Sequence, residues 1–166
     1  NGGVGEEGSI ATYVDGVYIA ALSAANFALS NIERIEVLKG PQGTLFGRNA
    51  TGGLIHVITK DPSHTPKLDV NVGYANYDTW TATAYATAGL TDTIAFDIAG
   101  YYTDQGKGWG RNISGVPGVD GTDVNYRNEW AVRGKLLFEP SEALTIRLAG
   151  DYNRRDSDIG NTRSVY

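Results

Sequence analysis

From residue 67 onward the chain alternates apolar and polar residues with a period of two. Leu68, Val70, Val72 and Tyr74 fall on one side of the first segment, and Asp69, Asn71 and Gly73 on the other. Ile94, Phe96, Ile98, Gly100 and Tyr102 repeat the pattern. Trp130, Val132, Gly134, Leu136 and Phe138 stand opposite Arg133 and Lys135. Leu144, Ile146, Leu148, Gly150 and Tyr152 stand opposite Thr145, Arg147, Asp151 and Asn153. In segment 80–90 the apolar side is Trp80, Ala82, Ala84, Ala86, Ala88 and Leu90. Successive side chains of a strand point to opposite faces, so each segment reads as a strand with one apolar face.

Two architectures use such strands. A soluble sandwich turns the apolar face inward. An outer-membrane barrel turns it outward to lipid and keeps the polar face in its lumen. The segments run about nine to eleven residues, a membrane length, against about five or six in globular proteins. Tyr74, Tyr102, Trp130 and Tyr152 sit at one set of strand ends and Phe138 at the other, as interfacial girdles require. In a barrel, Arg133, Lys135 and Arg147 belong in the lumen. The connections also sort by length. Those near 91–93 and 139–142 are short, and Asp104–Asn128 is long and polar. Barrels have short turns on the periplasmic side and long loops outside. The connection at 75–79 is the exception, short although it falls outside.

The first third of the chain is different. Tyr13 to Ile19 reads as a strand broken by an Asp15-Gly16 turn. Residues 20–31 read as a loop or one helical turn. Ile32 to Leu38 reads as a strand half in and half out of a core, and Leu54 to Thr59 as another. Between these two lie glycines 40, 43, 47, 52 and 53. Such a loop turns tightly or approaches something closely, and Gly40-Pro41-Gln42-Gly43 must bend. It is not a phosphate loop, because only three residues separate Gly43 from Gly47, where that loop needs four, and Arg48-Asn49 follows. Pro62 and Pro66 mark 63–66 as a linker.

The string Ile32–Lys60 resembles the plug domain of TonB-dependent outer-membrane receptors. The resemblance rests on Glu33, Arg34, Glu36, Gly40, Pro41, Gly43, Leu45, Gly47, Gly52, Gly53, Ile55, Val57 and Ile58, with Tyr13-Val14-Asp15-Gly16-Val17-Tyr18 upstream. Lys39 replaces the commoner Arg, keeping the charge without the bidentate fork. The resemblance implies a mainly β chain. Residues 1–62 would be the C-terminal part of a plug, mixed α/β with short strands. Residues 63–66 would be the linker, and 67–166 the first five or so antiparallel up-and-down strands of an outer-membrane β-barrel. The chain opens at Asn1 with no Met, basic n-region or apolar h-region, as expected of an internal piece of a longer protein.

By the same resemblance the function is energy-dependent uptake of a scarce ligand across the outer membrane, most often a ferric siderophore. The partners are then the TonB energising complex, the ligand and outer-membrane lipid. Charges Glu33, Arg34, Glu36 and Lys39 would pair with the barrel, although a solvated face is the simpler expectation. The loop Ala20–Asn31 would form the outward apex, with Asn26 and Phe27 touching ligand beside Trp109 and Arg111 of the long connection. The alternative is a soluble β-rich binding or adhesion module. The net charge of −5 argues against nucleic acid. No cysteine is present, and His56 and His64 lack partners at ligand spacing, so neither a metal nor a cofactor is expected. No nucleophile–base or paired-carboxylate arrangement suggests an enzyme.

Overall fold

The computed structural model describes residues 10–19, 31–41, 52–118 and 120–157. These form eleven strands, with no helix among the described residues. They divide into two compact units, one up to Asp61 and one from Pro62.

The first unit is a four-stranded mixed sheet in the order β2-β1-β4-β3. Its strands are β1 (Ile10–Val14), β2 (Val17–Tyr18), β3 (Ile32–Lys39) and β4 (Gly53–Thr59). Asp15 and Gly16 take φ of 47° and 83°, the paired positive values of a tight hairpin turn. β1 also runs parallel to β4, from Ile10 opposite Gly53 to Val14 opposite Val57. Leu54 and Ala11 form a small core, with Tyr13 and Leu38 packed against it. The half-buried reading of β3 needs correcting. Ile32 and Leu38 are partly covered, but Ile35 and Val37 are 54% and 63% exposed. Among the described residues β3 is an edge strand flanked by β4 alone, so its middle has described neighbours on one side only. The helical share expected of this unit is absent from the described residues, and segment 20–30 lies outside them.

The second unit is an antiparallel meander in the order β11-β10-β7-β6-β5. Its strands are β5 (Lys67–Ala75), β6 (Thr79–Thr91), β7 (Ile94–Gln105), β10 (Arg127–Ser141) and β11 (Leu144–Ser157). Every alternating segment is a strand in its expected place. The later ones are longer than expected, 12 to 15 residues from β6 on, because pairing continues past the apolar stretch into polar sequence. β10 runs through Pro140 to Ser141, with the register shifting between Phe138 and Ser141. That shifts the expected turn at 139–142 to Glu142-Ala143.

Register collects the apolar sets onto one face. Leu68 pairs with Ala86, Ala86 with Ile98, Ile98 with Gly134 and Gly134 with Gly150. This face is open: Leu68, Val70, Val72, Trp80, Ile98, Leu148 and Tyr152 are all exposed. Near one end it carries Tyr74 against Trp80, with ring centroids 4.9 Å apart, and Trp130 against Tyr152 at 5.2 Å. Such rings suit the boundary between hydrocarbon and headgroups. The opposite face is the buried one. It hides Tyr85, Thr87, Asp97, Thr103, Glu129, Arg133 and Lys135.

The antiparallel order sets turns 76–78 and the long 106–126 connection at one end, and turns 92–93 and 142–143 at the other. The long connection is not wholly irregular. It holds a two-stranded ribbon, β8 (Gly110–Arg111) with β9 (Asp123–Val124). Segment 63–66 is bonded to β6 rather than hanging loose. Ser63 N donates to Thr87 Oγ1 at 2.8 Å, and Gly89 N to the His64 carbonyl at 3.3 Å.

Candidate functional site

In the first unit, two motif glycines are explained by backbone. Gly40 has φ +84° and its N–H reaches the Gly52 carbonyl at 3.3 Å. Gly53 has φ +149°, and a Cβ there would lie 2.7 Å from the Leu38 carbonyl oxygen. Only glycine lets β3 and β4 come together at that point. Asp15 locks the other end. Its carboxylate accepts from Thr59 N at 2.8 Å and Thr59 Oγ1 at 2.7 Å, while Asp15 N donates to the Val57 carbonyl at 3.0 Å. His56 is held as structure, its Nε2 accepting from Gly16 N at 3.1 Å.

The charged set on β3 pairs within itself. Arg34 bonds Glu36 and Glu33, each at 2.8 Å. Those contacts, Glu36 first, raise the Arg34 guanidinium above its ordinary value. All three side chains are about half exposed, so the ion pairs add little stability.

In the second unit, polar chemistry concentrates at the end with the long connection. Glu129 is buried on β10. It accepts from Tyr101 Oη at 3.0 Å and Arg155 Nε at 2.7 Å, and it also pairs with Arg127. β10–β11 register sets Glu129 directly opposite Arg155. Beside this cluster is a groove of about 460 Å³ lined by Gln105, Trp109, Asn125, Tyr126, Arg127 and Arg155. Gln105 holds its rim, with Nε2 donating to the Lys107 carbonyl at 2.7 Å and the Asn125 carbonyl at 3.2 Å.

The short turn at the same end is fastened to the long connection. Tyr77 and Asp78 hold φ of 62° and 53°. Lys107 Nζ meets Asp78 Oδ2 at 2.7 Å, and Tyr74 Oη donates to Asp78 Oδ1 at 2.8 Å. Lys107, and then Tyr74, hold the Asp78 carboxyl below its ordinary range. Backbone bonds from Gly106 and Lys107 to the carbonyls of Asp78 and Tyr77 complete the staple.

Among known proteins, residues 2–54 match the family described as TonB-dependent Receptor Plug Domain. The chain belongs to the TonB-dependent receptors. It is 29% identical over 154 residues to the vitamin B12 transporter of Vibrio vulnificus, covering 89% of this chain and 24% of that protein. It is 33% identical over 107 residues to a catecholate siderophore receptor of Escherichia coli, covering 62% of this chain and 14% of that one. The crystal structure of the ferric yersiniabactin uptake receptor of Yersinia pestis shares the fold. Its TM-score is 0.76 at 22% identity, covering 87% of this chain and 22% of that one. The chain thus spans a quarter or less of the length of these relatives. As in them, its place is the outer membrane.

The structure places the expected site residues of this TonB-dependent receptor unevenly. Asn26, Phe27, Gly43 and Gly47 lie outside the described residues. Glu33, Arg34, Glu36, Lys39, Gly40, Pro41, Gly52 and Gly53 lie on β3, β4 and the ends joining them. Trp109 lines the groove and is 64% exposed. Arg111 is on the β8–β9 ribbon opposite Asp123 and is not among the groove's described lining. Sequence reasoning passed over Arg127, Glu129 and Arg155, whose neighbourhood depends on β10–β11 register. Their charge alternation at 127, 129 and 155 was a signal, but only pairing the strands brings it together.

Proposed function

We propose that this chain forms part of a receptor that imports a scarce ligand through the outer membrane, and that the ligand is a ferric siderophore. The supporting observation is the inverted five-stranded sheet, apolar and open on one face, charged and buried on the other, preceded by a plug-type sequence. A soluble binding or adhesion module would cover the apolar face instead. The names of the relatives favour uptake of metal chelates, with a catecholate siderophore receptor and a ferric yersiniabactin receptor among them and a vitamin B12 transporter as the second ligand class.

In this reading residues 1–62 are plug, 63–66 linker and 67–166 barrel wall. The end carrying 76–78 and 106–126 faces outward, where longer loops belong. The TonB complex supplies energy from the inner membrane. Trp109 and Arg111, with Asn26 and Phe27 of the plug apex, contribute to the ligand site.

The test is uptake of iron-labelled siderophores by cells with the gene deleted, then complemented, with and without a functional TonB complex. Restored uptake only when both are present is expected. Uptake of labelled cobalamin in place of any iron chelate would move the ligand to the second class. Protease added to whole cells should cut within 106–126. Cutting only after the outer membrane is opened would reverse the orientation.

A further inference from the structure

The Glu129 cluster has the construction of an anion site. The carboxylate side chain is 2% exposed, and the two guanidinium side chains above it are 54% and 41% exposed. Two cations share one anion, which leaves an excess positive charge facing the groove. Each guanidinium carries five N–H donors and gives one to Glu129. The remaining donors can meet an incoming anion in pairs.

Being tied to a buried carboxylate, Arg127 and Arg155 have already lost rotamer freedom that a solvated arginine would lose on binding. The carboxylate is therefore a positioning group. Trp109 and Tyr126 add aromatic faces to the same groove. An exposed indole beside fixed guanidinium groups suits a ligand that is both planar and negatively charged.

We propose that this groove binds an anionic ferric chelate with planar aromatic arms, and discriminates against neutral chelates. The proposal rests on the ferric-siderophore reading above and narrows it by charge and by shape. Residues Arg127 and Arg155 select for charge, and Trp109 for the aromatic arm. Lys107 and Asp78 cancel each other at the neighbouring staple, and Asp123 lies opposite Arg111 on the ribbon, so neither pair removes the excess at the groove.

The experiment uses the full-length receptor in detergent and two probes, a trianionic iron(III) tris-catecholate and a neutral iron(III) tris-hydroxamate. The native receptor should bind the anionic probe at least about tenfold more tightly, the scale of one or two charge-assisted hydrogen bonds. Replacing both arginines alone would strand a buried carboxylate and destabilise the barrel. The informative variant is therefore Arg127→Gln with Arg155→Gln and Glu129→Gln, checked for heat-modifiable migration as a folded barrel. It should lose the preference for the anionic probe, so that the two probes bind with similar affinity. Trp109→Ala, on an exposed connection, leaves the strands intact and should weaken the tris-catecholate several-fold. Unchanged binding in both variants, or preference for the neutral probe, overturns the anion site and leaves ferric-siderophore uptake standing. Binding of neither probe also overturns the anion site, and the uptake assay decides the ferric-siderophore reading separately.

Discussion

The two sheets solve opposite problems with the same alternation. The plug-side sheet buries Leu54, Val57 and Ala11 as any soluble sheet would. The barrel-side sheet buries Asp97, Glu129, Arg133 and Lys135 and exposes Leu68, Val70 and Leu148. Backbone geometry does not distinguish them, because both are pleated ladders. The medium outside each face does. Where the outside is hydrocarbon, an exposed aliphatic side chain costs nothing and a charge there is expensive. The charged residues therefore retreat to the inner face and pair, as Arg133 does with Asp151 at 3.5 Å. A hydrophobic side of a strand identifies a side, and only the surroundings say whether it is inside.

The sharpest way to break this contrast is to put one charge on each face of β5. Val70→Arg should cost about 2–4 kcal/mol of folding into liposomes, the midplane penalty for a cation on lipid. Asn71→Arg, one residue along and on the polar face, should cost a small fraction of that. Equal costs, measured by reversible unfolding in lipid, would show that the open face does not meet hydrocarbon.

Glycines give the next test. Gly53→Ala forces a Cβ to within 2.7 Å of the Leu38 carbonyl at a φ that L-residues avoid. About 2–3 kcal/mol of local stability should be lost. Gly150→Ala meets nothing within 4 Å in the described structure and should change stability by no more than about 0.5 kcal/mol. Hydrogen exchange of β3–β4 amides against β10–β11 amides separates the two effects. Rapid exchange in both variants would remove the special role of Gly53.

The smallest effect concerns the staple. Asp78 has a depressed folded value, so its pairing with Lys107 stabilises above the ordinary carboxyl range and is lost as pH falls through the lowered value, below 3.8. Exchange of the Gly106 and Lys107 amides should accelerate in that acid window. Lys107→Met should shrink the acid step to the part that the Tyr74 hydrogen bond supplies. Because the groups are exposed, added salt should blunt it. An acid step unchanged by Lys107→Met would assign it to another carboxylate.

Much of this molecule is visible in its sequence. Period two located all five long strands and their faces, since the pattern is local and repeated. The Asp15-Gly16 hairpin was legible because positive φ restricts residue choice. What escaped depends on contacts between distant residues. Nothing near Ile10 shows that β1 lies parallel to β4. The bonds from Asp15 to Thr59 span 44 positions. The β8–β9 ribbon is too short for any period to show. Arg111 drew attention as a lone cation in a long connection. Arg127 and Arg155 looked like ordinary polar-face residues until the register set Arg155 across from Glu129. The exposure of Ile35 and Val37 follows from strand order, which alternation does not encode.

The parallel pairing of β1 with β4 has a mechanical consequence. In parallel strands, the start of β1 and the finish of β4 lie at opposite ends of the ladder. Tension applied between residues 10 and 59 therefore slides one strand along the other. The whole register from Ile10–Gly53 to Val14–Val57 must yield together. The β1–β2 hairpin, pulled apart from its open end, would instead unzip one rung at a time. A tug on the chain ahead of β1 thus meets its stiffest resistance at this pair, and the carboxylate clasp of Asp15 on Thr59 sits at the far end of the same ladder to take up the load.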